Sequence, residues 1–109
     1  MRRLVAMALA AFSLAACSGH YGNLEEREAH WQSRVATELR PGTSLAQVEA
    51  FFAENGLEHG YDEHSRTLQA IERNVAGDRL VSFSVTFACQ FNSTSALVAC
   101  SVSHAGTGP

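Results

Sequence analysis

The side chains of this chain that could ligate, titrate or form covalent bonds are few and unevenly placed. Cysteines stand at 17, 89 and 100, and the run His59-Gly60-Tyr61-Asp62-Glu63-His64 mixes imidazoles with carboxylates. Imidazole and carboxylate suit a divalent cation. The spacing matches no metal motif, however, and an extended backbone sends His59 and His64 to opposite faces. The run therefore reads as a solvated loop or a short extended piece, with no metal and no cofactor implied. No nucleophile elbow, phosphate loop or metalloprotease helix is present. In a chain of 109 residues, a core and an enclosed active site compete for the same material. A catalytic role is not expected.

Cys17 has a different setting. Arg2 and Arg3 precede an apolar run from Leu4 to Ala16, which ends in Leu14-Ala15-Ala16 with Cys17 directly after it. A basic start, a short apolar stretch and small residues at its end form a secretion signal. With the cysteine added, the pattern resembles the lipobox of bacterial lipoproteins. That resemblance implies a signal peptide over 1–16, cleavage after Ala16, and a thioether-linked diacylglyceryl group with acyl chains of the palmitate kind on Cys17. Membrane lipid is then a partner, because two or more acyl chains hold a protein stably where one does not. Residues 17–22 form a tether that spans less than about 20 Å even when extended. Ser18 is not the Asp associated in that class with inner-membrane retention. The resemblance thus implies the periplasmic side of the outer membrane.

Charge and cysteine count narrow the partners. The chain has 8 Arg and no Lys against 11 Asp+Glu. Loss of Arg2 and Arg3 with the signal makes the mature form more acidic than the precursor's net −3. An acidic balance argues against nucleic acid and against electrostatic binding to anionic lipid. Cys89 and Cys100, in an exported chain, make a disulfide the default expectation.

One α+β domain is expected over 23–104, with a flexible tail at 105–109. Asn23 and Glu26 make a helix start, and Leu24, Trp31, Val35 and Leu39 form a narrow apolar stripe. That stripe makes Trp31 a core residue rather than a partner anchor. Arg40-Pro41-Gly42 ends the helix. Ser44 and Gln47 form a clearer capping box, Leu45, Val48, Phe51 and Phe52 line the second helix, and Gly56 caps its end. Thr67 to Arg73 alternates weakly, as an edge strand would. From Val81 to Phe91 every odd position except the cysteine at 89 is Val or Phe, and the even positions are Ser, Thr, Ala and Gln. That is a half-buried strand. Leu97 to His104 returns beside it after a turn at Asn92–Ser95. Setting Cys89 opposite Cys100 places Phe87 against Val102 and Phe91 against Val98, apolar on apolar. The expectation is two N-terminal helices on a three-stranded antiparallel sheet with a C-terminal disulfide-stapled hairpin.

No Asp, Glu, Lys or Arg occurs from Val81 to Pro109. The outward positions Ser82, Ser84, Thr86, Gln90, Ser101 and Ser103 therefore form a possible partner face, since solvated sheets usually carry charge. A small-residue solvent face is the competing reading.

Pro41-Gly42-Thr43-Ser44 with Gln47-Val48 resembles the Gly-Met-Thr/Ser…Gln-Val helix start of outer-membrane lipoproteins of the BamE/SmpA–OmlA type, within the wider β-lactamase-inhibitor-protein-like fold. Where that family continues into Leu-Gly-x-Pro, this chain has Gly56-Leu57 without the proline. The resemblance implies a module without catalytic residues that supports envelope assembly through protein and lipid contacts. The inhibitor members of the fold imply an alternative, a binding module for a periplasmic or secreted enzyme.

Overall fold

Ser44 begins the better-defined of the two helices through a reciprocal capping box. The Gln47 amide donates to Ser44 Oγ at 3.2 Å, and the Ser44 amide donates to Gln47 Oε1 at 3.2 Å. Two of the free amides at a helix start are thereby satisfied. In the computed structural model, which describes residues 24–77 and 81–107, this helix is α2 (Leu45–Glu54), preceded by α1 (Leu24–Glu38). The α2 helix ends where Gly56 adopts φ +70°, letting the Leu57 amide return to the Phe52 carbonyl at 3.0 Å. Leu57 then turns back into the core. The expected signal peptide, Cys17, the expected tether and the expected Asn23 cap all lie outside the described residues.

Four strands follow: β1 (Glu58–Asp62), β2 (Thr67–Gly77), β3 (Ser82–Phe91) and β4 (Leu97–Thr107). They form one antiparallel sheet in the order β1-β2-β3-β4. The expected three-stranded sheet is thus four-stranded. The extended piece around His59 pairs with β2 and becomes the edge, so β2 is an interior strand. The tail expected from residue 105 is strand as far as Thr107.

Both helices cover one face of the sheet. Trp31, Val35 and Leu39 of the first helical segment meet Val48, Phe51 and Phe52 of α2 over Leu68, Ala70, Val85, Phe87, Cys89 and Phe91. The aromatic rings pack edge to face, Trp31 to Phe87 at 5.4 Å and Phe52 to Phe87 at 5.2 Å between centroids. This is the arrangement their quadrupoles favour. Trp31 is 3 % exposed, a core residue as its stripe position indicates.

Cys89 and Cys100 are bonded and directly opposed, and Phe87 faces Val102. The expected pairing of Phe91 with Val98 does not form. A register shift after Gln90 sets Phe91 against Leu97, which is 2 % exposed, and turns Val98 out to 52 %. The shift has a cause in the chain before it. The helix linker lies along the start of β4, with the Gly42 amide on the Leu97 carbonyl and the Leu97 amide on the Thr43 carbonyl, both at 2.8 Å. Leu97 is held in place by these bonds, and the surplus residue is expelled as a bulge.

Candidate functional site

The helices leave the other sheet face open, and the register defines its rows. Glu58, Ile71, Thr86 and Ser103 lie side by side across the four strands; Gly60, Gln69, Ala88 and Ser101 form the next row. Asp62, Thr67, Gln90 and Ala99 form a third. A shallow groove of about 450 Å³ runs over this face, lined by Gly60, Gln69, Ile71, Thr86, Ala88 and Ser103 among others. Glu58 and His59 line its β1 end, and elsewhere its polar side chains are hydroxyls and an amide. Thr86 Oγ1 and Ser103 Oγ share a hydrogen bond of 3.0 Å, and Ser101 Oγ donates weakly to the Ala88 carbonyl at 3.4 Å. Charge enters from Glu58 and Asp62 of β1 and from Arg73 in the middle of β2. Arg73 Nε donates to Glu58 Oε2 at 2.9 Å, which holds the Glu58 carboxyl below the usual carboxylate range and raises the guanidinium.

The structure gathers most of the partner face read from the sequence and removes one member. Thr86, Gln90, Ser101 and Ser103 share the open face, and Ser82 stands half-buried at its far end. Ser84 does not take part, being 7 % exposed. An irregularity in β2 between Glu72 and Ala76 brings the Asn74 amide onto Ser84 Oγ at 3.2 Å, and Asn74 takes φ +56° to reach it. Gln69 and Ile71, from the weakly alternating stretch, and Gly60, from the His59–His64 run, complete the groove, although none was assigned to the partner face from sequence. Their strands carried too weak an alternation to be placed on a face.

The imidazole and carboxylate run is divided between strand and turn. His59 lies on the core side of β1, where Nδ1 meets the Leu57 carbonyl at 2.9 Å and the ring tilts against Phe52. Asp62 Oδ1 accepts the His64 amide at 2.9 Å and so closes the turn. Among the described residues, no group of three His, Cys, Asp or Glu side chains is placed to hold a metal ion.

A second polar cluster sits under α1, on the helix side of the sheet. Glu72 Oε1 accepts from Arg27 Nε at 2.7 Å and from Trp31 Nε1 at 2.9 Å, while Arg27 Nη2 reaches Oε2. These bonds, the Arg27 pair foremost, hold the Glu72 carboxyl below its usual range against the opposing effect of burial. The Arg34 guanidinium lies over Trp31 at 5.3 Å and over Phe51 at 5.1 Å, and its Nη1 donates to Asn55 Oδ1. His30 beside them is pushed down by burial and then by Arg27 and Arg34. The cluster latches α1 to β2 and to the end of α2, a structural task.

No helix among the described residues is long and apolar enough to cross a membrane. No family model, curated protein or solved structure matches this chain.

Proposed function

We propose that this chain is a lipid-anchored, non-catalytic envelope protein. It acts as a scaffold or assembly accessory through protein contacts, held by acylated Cys17 at the periplasmic side of the outer membrane. One observation carries the contact part of this reading: the open sheet face, whose β3 and β4 positions bear no charge. The hydroxyls and amides of this face can be buried without the cost of an unpaired charge, provided a partner meets their hydrogen bonds, and Val98 on β4 is an exposed apolar side chain. The anchoring part rests on Arg2-Arg3, the apolar run and Leu14-Ala15-Ala16-Cys17.

The test is crosslinking in intact cells with the full chain as bait, followed by mass spectrometry. The expected result is a reproducible envelope-assembly protein, lost when Gln69→Arg places a charge in the groove. Recovery of a soluble enzyme whose activity falls on binding would replace this reading with that of an inhibitor. Metabolic labelling with a fatty acid checks the anchor: label on the native chain and none on Cys17→Ser is expected, and a labelled Cys17→Ser chain refutes acylation at that residue.

A further inference from the structure

The two edges of the sheet differ. β1 is a five-residue edge that carries Glu58 and Asp62, and short length and charge are the usual protections of an exposed edge. β4 has eleven residues with no Asp, Glu, Lys, Arg or Pro. Its backbone also points usable groups outward. Gln32 Nε2 of α1 donates to the Val102 carbonyl at 3.2 Å, so that carbonyl faces away from β3. Strand alternation then aims the amides and carbonyls of Cys100, His104 and Gly106 the same way. Among the described residues nothing bonds them.

This edge already accepts an added strand. The helix linker pairs on it in antiparallel fashion, through Ser44 opposite Ala96 and the two bonds between Gly42, Thr43 and Leu97. The linker covers β4 as far as the bulge at Val98 and leaves 99–107 free. The Gln32 amide occupies, at one point of that free stretch, the place a neighbouring strand's N–H would take.

We propose that 99–107 of β4 pairs with the same stretch of a second copy of this chain, antiparallel about a two-fold axis through Ser103. The midpoint of the free stretch is Ser103, so this register uses all of it without touching either linker. Val102 then faces the partner copy's His104, Ser101 faces its Ala105, and Cys100 faces its Gly106. The outward backbone groups of Val102 and His104 meet as a hydrogen-bonded pair, displacing Gln32. No charged side chain of β4 opposes another, and the Glu28 carboxylate that reaches β4 is engaged by His104 Nδ1 at 2.7 Å. For a chain of net charge −3, a strand without Asp, Glu, Lys or Arg adds no like-charge repulsion of its own to the seam. A foreign peptide added to an edge gains its specificity from pockets for alternate side chains. Ser101, Ser103 and Ala105 provide none, which favours a self-matched strand.

Sedimentation equilibrium of the full-length protein in density-matched non-ionic detergent tests this. A reversible monomer–dimer equilibrium is expected for the native chain. Ser103→Lys sets two ammonium groups against each other on an exposed face, and His104→Pro removes an N–H that points away from β3, a position where an edge tolerates proline. Each is expected to weaken the dimer by about tenfold or more. His104→Ala, which keeps the N–H, is expected to dimerise within a few-fold of the native chain. A native protein that stays monomeric through the micromolar range overturns the proposal. So does a dimer that Ser103→Lys, on its exposed site, leaves unchanged.

Discussion

Replacing Glu72 separates two contributions that share one carboxylate. Trp31 is buried and donates its only N–H to Glu72 Oε1 at 2.9 Å. In Glu72→Ala that N–H loses its acceptor, and an unsatisfied buried donor costs about 1–3 kcal/mol. The Arg27 side chain is 42 % exposed, so solvent screening holds the ion pair to about 1 kcal/mol or less. The expected loss for Glu72→Ala is therefore about 2–3 kcal/mol, a shift of the melting midpoint on the order of 10 °C for a domain of this size. Glu72→Gln keeps a carbonyl oxygen for Trp31 and gives up the charge, so its expected loss is about 1 kcal/mol or less. Urea unfolding followed by fluorescence reads both, with the single tryptophan as reporter. The pH dependence adds a sign. The Glu72 carboxyl is depressed in the fold, so its stabilisation is complete above the ordinary carboxylate range. It is lost as pH falls through the lower folded value. The gap between native and Glu72→Gln must then close below about pH 4. Equal losses in the two variants at neutral pH would sink the reasoning, because they would mean that the Trp31 bond contributes nothing.

Three further outcomes follow from the packing. Leu97→Ala should cost about 2–4 kcal/mol, whereas Val98→Ala should stay within about 0.5 kcal/mol; thermal unfolding of the pair decides whether the bulge is where the structure has it. Reduction of Cys89–Cys100, which closes a span of 11 residues, should lower stability by about 3 kcal/mol in the loop-entropy account, and unfolding with and without reductant measures it. Ser44→Ala should cost about 1 kcal/mol; an unchanged midpoint would mean that the Ser44–Gln47 box does not limit α2.

Where local chemistry and tertiary structure ask for the same residue, the chain can be read directly. Ser44 with Gln47, and Gly56 with Leu57, mark the ends of α2 without reference to anything distant. The alternation of β3 and the opposition of Cys89 and Cys100 agree on one register. The reading weakens where a position serves a remote partner. β2 turns Leu68, Ala70 and Glu72 toward the helices, and a small residue and a carboxylate on the buried side erase its periodicity. Glu72 is there for Arg27 and Trp31, far away in sequence. β1 has no apolar face of its own, since Tyr61 only half enters the core and His59 is held by Leu57. Val98 and Ser84 fail as expected for a related reason. A bulge in β4 and an irregularity in β2 each move one residue out of strict alternation, and both are settled by neighbouring backbone rather than by side-chain type. The outer groove was half legible, through β3 and β4, because its other half lies on β1 and β2, whose alternation is weak.

The tie between the helix linker and Leu97 has a consequence for the order of assembly. The bonds from Gly42, Thr43 and Leu45 to Leu97 and Ser95 join residues fifty or more positions apart. Trp31 and Phe52 likewise wait for Phe87. During synthesis the helices emerge first, yet each is too short to persist alone in water. Their apolar stripes have only each other to cover until β2 and β3, which carry Leu68, Ala70, Val85 and Phe87, have been made. The core therefore closes only once β3 is present, and the linker bonds to Leu97 and Ser95 follow with the approach to β4.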